Sequence, residues 1–203
     1  EENSSQRNDF VQLLLKLRKT VSLTVDEMAA ESFIFFTGGF ETSSSTLTFC
    51  LYELALNKEL QMRLRNEITE ALEKNGGKIS YDLLFHLAYL DMVVKETLRK
   101  YPIVPGMLRK CTKEYTVPGT NLTVAEGTNI LIPIYSVQHD PEYYPKPQEF
   151  DPERFSSENS KERNPLTFLA FGEGPRACIG MRFGLLQVKL ALVKLLTNFQ
   201  FST

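Results

Sequence analysis

A glycine-rich stretch that carries one cysteine, residues 168–180, is the part of this sequence best suited to chemistry; we call it the cysteine loop. Three glycines and a proline lie between positions 172 and 180, and these residue types exclude a regular helix or strand. Cys178 precedes residues 181–196, whose apolar side chains on nearly every face predict a buried helix. The unpaired amides and positive dipole end of such a helix favour a thiolate. The pattern therefore predicts a loop that presents a soft sulfur ligand.

Two other interpretations of the cysteine loop remain open. A lone cysteine is often only a small buried apolar residue. The spacing of Gly172, Gly174 and Ala177 also fits a loosened dinucleotide-binding fingerprint, provided that residues 167–171 form a strand. That fingerprint requires an acidic residue about 20 positions later to bind the ribose, and no Asp or Glu follows Glu173. The dinucleotide interpretation is therefore disfavoured.

Length and composition limit the class of protein. The chain has 203 residues, of which 42% are apolar and 24% charged, and its formal net charge is −2. These values predict a globular core and argue against a disordered chain or a broad nucleic-acid-binding surface. Cys50, Cys111 and Cys178 are odd in number and widely spaced, which argues against a disulfide scaffold or a zinc site. The chain begins at Glu1 without a signal peptide, so we expect a fragment that lacks its targeting segment.

The first sixty residues predict two helices. Asp9 can cap a short amphipathic helix over residues 10–17. A capping box formed by Thr24 and Glu27 starts a second helix, which continues without proline to about Asn57. This second helix is the longest element that the sequence predicts.

Two adjacent glycines, Gly38 and Gly39, interrupt the pattern of the long helix. Each costs about 1 kcal/mol relative to alanine, and the hydroxyl residues that follow compete for backbone hydrogen bonds. Close packing of a neighbouring helix is one explanation. The other is a local loosening of the helix that admits a flat ligand or small molecule, with Glu41 and Thr42 as an acid and an alcohol for proton transfer.

Two further helices are predicted before residue 102. Pairs of opposite charge four residues apart predict a solvated helix over residues 59–74. Asp91 can cap the next helix, on which Glu96 and Arg99 share a face. An exposed pair of this kind would contribute only about 0.2–0.5 kcal/mol. The charged pairs of the solvated helix are Arg63–Glu67 and Glu70–Lys74.

Short β-type runs between turn dipeptides predict a small antiparallel sheet in the second half of the chain. Prolines and aromatic residues over residues 141–155 then predict an irregular coil, in which Arg154 lies among aromatic side chains. The β-type runs cover residues 107–112, 115–117, 122–124 and 129–132.

Four short motifs occur in an order that resembles one known family. They are residues 38–43 (GGFETS), 96–99 (ETLR), 152–155 (PERF) and 171–180 (FGEGPRACIG). Together they resemble the motifs of the cytochromes P-450, and the amino-acid sequence is similar to that of insect microsomal members of this family. The resemblance implies a cytochrome P-450 fold, mainly α with a small antiparallel β accessory sheet. It also implies that residues 1–203 are the C-terminal part of a single catalytic domain whose N-terminal anchor and early helices are missing.

The resemblance implies a haem site in the cysteine loop. Cys178 would be the axial ligand of the iron in haem b, the thiolate arrangement of this enzyme class. Arg176 and Arg109 would bind the haem propionates, and Phe171 and Gly172 would contribute to the same cofactor site. Many relatives carry His-Arg-Asp-Pro where this chain has the sequence Gln-His-Asp-Pro at residues 138–141, so no propionate contact is assigned to position 138.

Further roles follow from the same resemblance. Gly38 and Gly39 would leave room over the iron on the distal side, while Glu41 and Thr42 would deliver protons to dioxygen. A buried charge cluster would brace the proximal side, against the weak surface pair expected from spacing alone. Its members would be Glu96, Arg99 and Arg154.

The implied activity is a monooxygenase that inserts one oxygen atom from O2 into an apolar organic substrate, either a xenobiotic or an endogenous lipophile. Electrons would come from NADPH through a flavoprotein reductase, with cytochrome b5 as a further partner, and nucleic acid would not be a partner. The protein would lie on the cytosolic face of the endoplasmic reticulum membrane through its missing anchor. A haem-thiolate isomerase or dehydratase and a non-enzymatic binding or scaffold domain remain alternatives. Candidate cations for reductase docking are Lys161, Arg163, Arg182 and Lys189.

Overall fold

The computed structural model describes residues 9–203, which form seven α-helices and four short β-strands. The chain divides into two units between Thr42 and Ser43, which are described in turn. The prediction of a mainly α chain with a small antiparallel β component is confirmed. The helices are α1 (Phe10–Leu17), α2 (Val25–Leu56), α3 (Lys58–Lys74), α4 (Tyr81–His86), α5 (Ala88–Lys100), α6 (Ile134–Gln138) and α7 (Met181–Asn198). The strands are β1 (Met107–Lys110), β2 (Tyr115–Thr116), β3 (Thr123–Val124) and β4 (Asn129–Ile132).

The first unit contains α1 and the first part of α2, each with the predicted N-cap. The Asp9 carboxylate accepts a hydrogen bond from the amide of Gln12. The Thr24 amide donates to the Glu27 carboxylate (2.8 Å), and the Glu27 amide donates to the Thr24 hydroxyl (3.2 Å). This reciprocal capping box satisfies amides that have no partner inside the helix. It fixes the start of α2 where the sequence predicts it.

Helix α2 continues without a break through Gly38 and Gly39. The hydroxyl groups that could compete for backbone hydrogen bonds instead donate to carbonyls one turn earlier in the helix. The Thr37 hydroxyl donates to Phe33 (2.9 Å), and the Thr42 hydroxyl donates to Gly38 (2.6 Å). Of the two explanations for the glycines, local loosening of the helix is not observed here. Within this unit, a Cβ built on Gly38 meets open space, which gives the close-packing explanation no support at that glycine.

Apolar side chains from the last part of α2 and from α3, α5 and α7 form the core of the second unit. Burial of a Leu, Ile or Val side chain contributes about 1.5–3 kcal/mol, so this cluster accounts for much of the unit's stability. The predicted buried helix after Cys178 is confirmed as α7, which begins three residues later at Met181. Fully buried core residues include Leu54, Leu64, Ile68, Leu90, Val93, Val94, Leu192, Val193 and Leu196.

Helix α5 begins earlier than predicted, and a side chain of α3 bonds its first amides. The helix starts at Ala88, so Asp91 lies in its first turn and is not its cap. The Glu67 carboxylate accepts hydrogen bonds from the amides of Tyr89 (2.7 Å) and Leu90 (2.9 Å). A carboxylate at this position satisfies unpaired amides and meets the positive end of the helix dipole. Glu67 thus caps α5 from another helix.

Because Glu67 is engaged with α5, its predicted pairing with Arg63 is wrong. Arg63 instead pairs with Glu153 (2.5 Å), and its guanidinium carbon lies 3.9 Å from the centre of the Tyr89 ring. The other predicted pair of α3 is present as a long, exposed contact between Lys74 and Glu70 (3.9 Å). Helix α3 is therefore solvated on only part of its surface.

An ion pair between a buried lysine and a partly buried aspartate connects α5 to α7. The Lys189 ammonium lies 2.7 Å from the Asp91 carboxylate, and Asp91 also pairs with Lys95 at 2.7 Å. Burial acts to raise the pKa of Asp91, but the hydrogen bonds and charges of Lys189 and Lys95 outweigh it, so the pKa lies below its ordinary value. Only 1% of the Lys189 side chain is exposed. Lys189 is therefore a structural residue, and its assignment to a docking surface is wrong.

The β-structure consists of two separate antiparallel pairs. Strand β1 pairs with β4, with Met107 opposite Ile132 and Lys110 opposite Asn129. The shorter strands β2 and β3 pair with each other. Strand β4 has the predicted bounds, the other three predicted runs are found at shorter lengths, and the four strands form two small sheets where one was expected. Across residues 9–203, no helix combines the length and the apolar character that a bilayer crossing requires.

Candidate functional site

The cysteine loop is shaped by its glycines and by backbone hydrogen bonds. Gly172 and Gly174 adopt φ values of +70° and +76°, which residues with a Cβ rarely do. The Gly172 amide donates to the Leu169 carbonyl (2.9 Å), and the Cys178 amide donates to the Phe171 carbonyl (2.8 Å). These bonds tie the backbone at Cys178 to the first residues of the loop. The position of the cysteine therefore depends on how the loop's beginning is held.

The three cysteines differ in how far their side chains are exposed to solvent. Cys50 is fully buried, and burial raises the pKa of its thiol to about 12. Cys111 is half-buried and its thiol lies 3.0 Å from the Lys113 carbonyl. Cys178 is exposed on the cysteine loop. Of the three, Cys178 is the thiol that a bound group can reach.

Strand β1 packs directly against the cysteine loop. A Cβ built on Gly172 would lie 3.3 Å from the sulfur of Met107, so a side chain there would press on that thioether. A guanidinium nitrogen of Arg109 lies 3.5 Å from the same sulfur. The structure thus brings Arg109 and the loop together through Met107. Arg176 lies within the loop itself, at the end of a 3₁₀ turn, and is exposed.

Behind the loop lies a buried ion pair on α5. Arg99 donates through two nitrogens to both carboxylate oxygens of Glu96, at 2.7 and 2.8 Å, and both side chains are fully buried. The guanidinium also donates to two backbone carbonyls, those of Gln138 at 3.1 Å and Glu149 at 3.2 Å. Burial raises the pKa of Glu96, while the bonds from Arg99 oppose that rise. Such a buried charge is tolerable because each partner satisfies the other.

Arg154 completes this cluster from the irregular coil. Its Nε lies 3.4 Å from a Glu96 oxygen, and its other nitrogens donate to the carbonyls of Pro145 (2.6 Å) and Lys146 (3.0 Å). Lys146 has a φ of +51°, an unfavourable conformation for a residue with a side chain. Arg154 thus fastens a strained turn to α5. We refer to Glu96, Arg99, Arg154 and Gln138 as the buried support.

Comparison with known proteins decides the family. The family described as "Cytochrome P450" matches residues 1–203. The chain belongs to the cytochrome P450 family.

Curated insect members are similar to it over nearly its whole length. They include the "Probable cytochrome P450 6a13" of Drosophila melanogaster, 53% identical over 97% of the chain, and the "Cytochrome P450 6A1" of Musca domestica, 47% identical over 100% of it. The "Cytochrome P450 6j1" of Blattella germanica is 45% identical over 100% of the chain. The chain covers 40%, 42% and 40% of these relatives. It therefore corresponds to less than half of each, and the predicted resemblance to insect members is confirmed.

The residues of this cytochrome P450 chain fit a haem. An exposed thiol is available for the iron, and guanidinium groups on β1 and in the loop are available for carboxylates. Large apolar side chains that follow the cysteine, including Ile179, Met181 and Phe183, are exposed and suit the apolar face of a porphyrin. The dinucleotide interpretation lacks its strand, because residues 167–171 begin at the end of a 3₁₀ turn and continue as irregular backbone.

The other predicted site residues of the cytochrome P450 chain lie in the first unit. Gly38, Gly39, Glu41 and Thr42 fall within five consecutive positions of α2, and Glu41 and Thr42 are exposed. Because the Thr42 hydroxyl lies 2.6 Å from the Gly38 carbonyl, it is held at a defined position on the helix. An alcohol and an acid are therefore adjacent on one regular helix, with no break in its backbone.

Sequence reasoning did not predict the structural roles of three residues in or next to the buried support. Gln138 is fully buried and bonded to α5 and to the cysteine loop. Arg163, predicted as a docking cation, lies 4.9 Å from the centre of the Tyr144 ring and 4.7 Å from that of Phe155. Fully buried Tyr144 also faces the Arg99 guanidinium at 5.4 Å. The departure from histidine at position 138 was the only sequence signal for any of them.

Proposed function

We propose that the protein is a haem-thiolate monooxygenase that converts R–H, O2, NADPH and H⁺ into R–OH, water and NADP⁺. The observation that carries the proposal is the exposed thiol of Cys178, whose backbone is bonded to Phe171 within a glycine-shaped loop. Haem held there by the Cys178 thiolate would supply redox chemistry that no protein side chain offers. Membership of the family supports this reaction class over a binding or scaffold role.

Each residue of the site has a distinct task in this proposal. Cys178 binds the iron, and Arg176 and Arg109 bind the haem carboxylates through charge-assisted hydrogen bonds. Gly172 keeps the loop close to β1, where a side chain would meet Met107. Phe171 is half-buried against the core and accepts the amide hydrogen bond of Cys178. The loop therefore holds the backbone of Cys178 in a defined position.

Residues of α2 supply space and protons. Gly38 and Gly39 carry no side chains that would block approach to the helix. The Thr42 hydroxyl is held near the Gly38 carbonyl, and the neighbouring Glu41 carboxylate can exchange protons with solvent because it is exposed. A hydroxyl that both accepts and donates a proton can pass one from the acid towards dioxygen.

The electron supply, substrate class and location complete the proposal. Electrons come from NADPH through a flavoprotein reductase, with cytochrome b5 as a second donor, and the substrate is an apolar xenobiotic or endogenous lipophile. The protein resides at the cytosolic face of the endoplasmic reticulum. Similarity to insect members at 42–53% identity supports these assignments. The exposed cations Lys161 and Arg182 are candidates for reductase contact.

Replacement of the thiol tests the ligand. We expect Cys178→Ser in the haem-loaded protein to lose the red-shifted Soret band of the reduced, carbon-monoxide-bound thiolate form. Cys111→Ser is the matched control, because Cys111 is the other cysteine that is not fully buried, and it should keep the band. An unchanged spectrum in Cys178→Ser would refute the ligand assignment.

Replacement of the alcohol tests proton delivery. We expect Thr42→Ala to consume NADPH and O2 but to release a larger share of the electrons as hydrogen peroxide, because proton transfer by a positioned group contributes about 10²–10⁴-fold. Thr48→Ala is the control, since Thr48 makes the same type of bond to the Ser44 carbonyl (2.9 Å). Equal product per NADPH in Thr42→Ala and the wild type would remove this role. A wild-type protein that turns over peroxides without O2 or NADPH would favour an isomerase or dehydratase.

A further inference from the structure

Gln138, the last residue of α6, has a fully buried side chain whose amide nitrogen and amide oxygen are both hydrogen-bonded. Its amide nitrogen donates to the carbonyls of Leu98 and Arg99, both at 3.0 Å. Its amide oxygen accepts from the backbone amide of Leu169 at 2.9 Å. Its own backbone carbonyl accepts from Arg99 at 3.1 Å. One side chain therefore joins α5 and the cysteine loop across the interior.

The α5 end of this link meets a structural need. The last carbonyls of a helix have no partner within it and require other donors. Leu98 and Arg99 lie in the final turn of α5, next to the Glu96–Arg99 ion pair. By donating to both carbonyls, Gln138 caps the C-terminal end of the helix that carries the buried charges. It is therefore bonded directly to the helix that carries the Glu96–Arg99 ion pair.

The loop end of the link leads to the cysteine in a few bonds. Gln138 fixes the Leu169 amide, and the Leu169 carbonyl accepts from Gly172 (2.9 Å). Between them lies Phe171, whose carbonyl accepts from the Cys178 amide (2.8 Å). Movement of Leu169 would therefore move the backbone group that holds Cys178. The side-chain amide of Gln138 is therefore linked to the backbone of Cys178 through the loop residues Leu169 and Phe171.

We propose that Gln138 is a positioning residue that sets the cysteine loop relative to α5 and thereby fixes the position of Cys178, the residue that would bind the haem iron. The inference rests on the proposed haem-thiolate function, although the hydrogen bonds themselves do not depend on it. Groups beyond the first ligand shell orient metal ligands, and their replacement typically lowers metal affinity or activity about 10–100-fold. Gln138 would act in this manner through backbone bonds.

The amide chemistry explains why a glutamine serves here. The position needs donors for two carbonyls and an acceptor for one amide, and a primary amide offers both. Glutamate would keep the acceptor but face two carbonyls without donors. Leucine would keep much of the volume but lose every bond. Histidine offers one donor and one acceptor, so it could keep part of the link.

The chain offers a close control in Gln61, which is also buried and makes the same set of bonds elsewhere. Its amide nitrogen donates to the carbonyls of Leu54 (2.8 Å) and Phe201 (2.9 Å), and its oxygen accepts from the amide of Phe201 (2.9 Å). Loss of either glutamine leaves similar buried groups unpaired. A purely structural effect should therefore be similar for both, and an effect on the thiolate should appear only at Gln138.

The test compares Gln138→Leu, Gln138→Glu, Gln138→His and Gln61→Leu in the haem-loaded protein. Two readouts are the fraction of the reduced carbon-monoxide complex that shows the thiolate Soret band and the rate of haem loss to an excess of a high-affinity acceptor protein. We expect Gln138→Leu and Gln138→Glu to lose haem about tenfold faster or more and to show a lower thiolate fraction. Gln138→His should recover part of both, and Gln61→Leu should match the wild type in both.

The outcomes separate the inference from the proposed function. If the wild type lacks the thiolate band, the haem-thiolate function fails before Gln138 is considered. If the wild type shows the band and the Gln138 variants change no more than Gln61→Leu, the positioning role is overturned. If Gln138→Leu does not accumulate, Gln138→His and Gln138→Glu carry the comparison. Equal spectra and haem-loss rates in those two variants and the wild type would overturn the role as well.

Discussion

The cysteine loop and the buried support lie next to each other yet differ in almost every physical respect. In the support, Glu96, Arg99 and Gln138 have no exposed surface, and their polar groups bond to one another or to backbone. In the loop, Cys178 and Arg176 are exposed, and the order comes from backbone bonds and glycine conformations. The buried, hydrogen-bonded side chains are thus in the support, and the exposed thiol is in the loop.

The two regions show how a thiol can be both accessible and held in a defined position. An exposed cysteine on an unsupported loop would vary in position, whereas a cysteine inside the core could not meet a cofactor. Here the thiol of Cys178 is exposed, while the backbone of the loop is hydrogen-bonded through Gln138 to α5. Substitutions in the support should therefore lower folding stability first, and substitutions of exposed loop residues should lower haem binding with little change in stability.

The largest expected effect is in the support. Glu96→Ala would leave the buried Arg99 without its carboxylate partner, and loss of one partner of a buried pair destabilises by about 3–5 kcal/mol. The free energy of unfolding of the haem-loaded protein, measured with denaturant, should fall by this amount or the protein should fail to accumulate. The control is Glu70→Ala, because Glu70 pairs with Lys74 only at 3.9 Å on an exposed surface. A Glu96→Ala protein as stable as Glu70→Ala would contradict the division between support and loop.

A smaller effect is expected at Asp91, which connects the support helix α5 to α7, the helix that follows the loop. Its pKa is lowered in the folded protein because its bonds to Lys189 and Lys95 outweigh the effect of burial. A lowered folded-state pKa gives stability that is complete above the unfolded-state value, about 3.9, and that is lost as the pH falls through the folded-state value. Asp91→Asn should remove this contribution.

The measurement is the difference in unfolding free energy between the wild type and Asp91→Asn as a function of pH. Hydrogen bonds to charged groups contribute about 1.5–3 kcal/mol, so we expect a difference of that order, constant between about pH 5 and 7 and shrinking below about pH 4. Lys189→Met should reduce the same pH dependence, because it removes the buried partner at 2.7 Å. A difference that grows as the pH falls would contradict the assignment.

Sequence reasoning succeeded where the determining interactions are local. The start of α2 follows from Thr24 and Glu27, which are three residues apart, and the loop at residues 168–180 follows from its glycines and proline. Helix periodicity likewise placed Glu96 and Arg99 on one face. Local patterns of this kind act within one or two turns of the chain, so they can be read without the fold.

Sequence reasoning failed where a partner comes from a distant segment. Glu67 caps α5 through the amide of Tyr89, 22 residues away, and this contact displaced two local predictions. From the sequence, Lys189 was interpreted as a surface cation. In the fold, the packing of α7 places it beside Asp91, 98 positions earlier. Gln138 has no local pattern at all, because its amide bonds to Leu98 and Leu169. Such contacts depend on which helices meet, and that information lies in the packing of the whole core.

The smallest expected effect on stability is in the loop, where two arginines can be compared. Arg176→Gln should change the free energy of unfolding of the haem-free protein by no more than about 0.5 kcal/mol, since surface substitutions away from buried contacts rarely do more. Arg154→Gln should destabilise it clearly, because it loses bonds to the carbonyls of Pro145 and Lys146 and the contact with Glu96. Haem loss should be faster in Arg176→Gln because the substitution removes the guanidinium that we propose binds a haem carboxylate. If Arg176→Gln destabilised the haem-free protein as much as Arg154→Gln does, the loop would carry folding stability, and the contrast with the support would no longer hold.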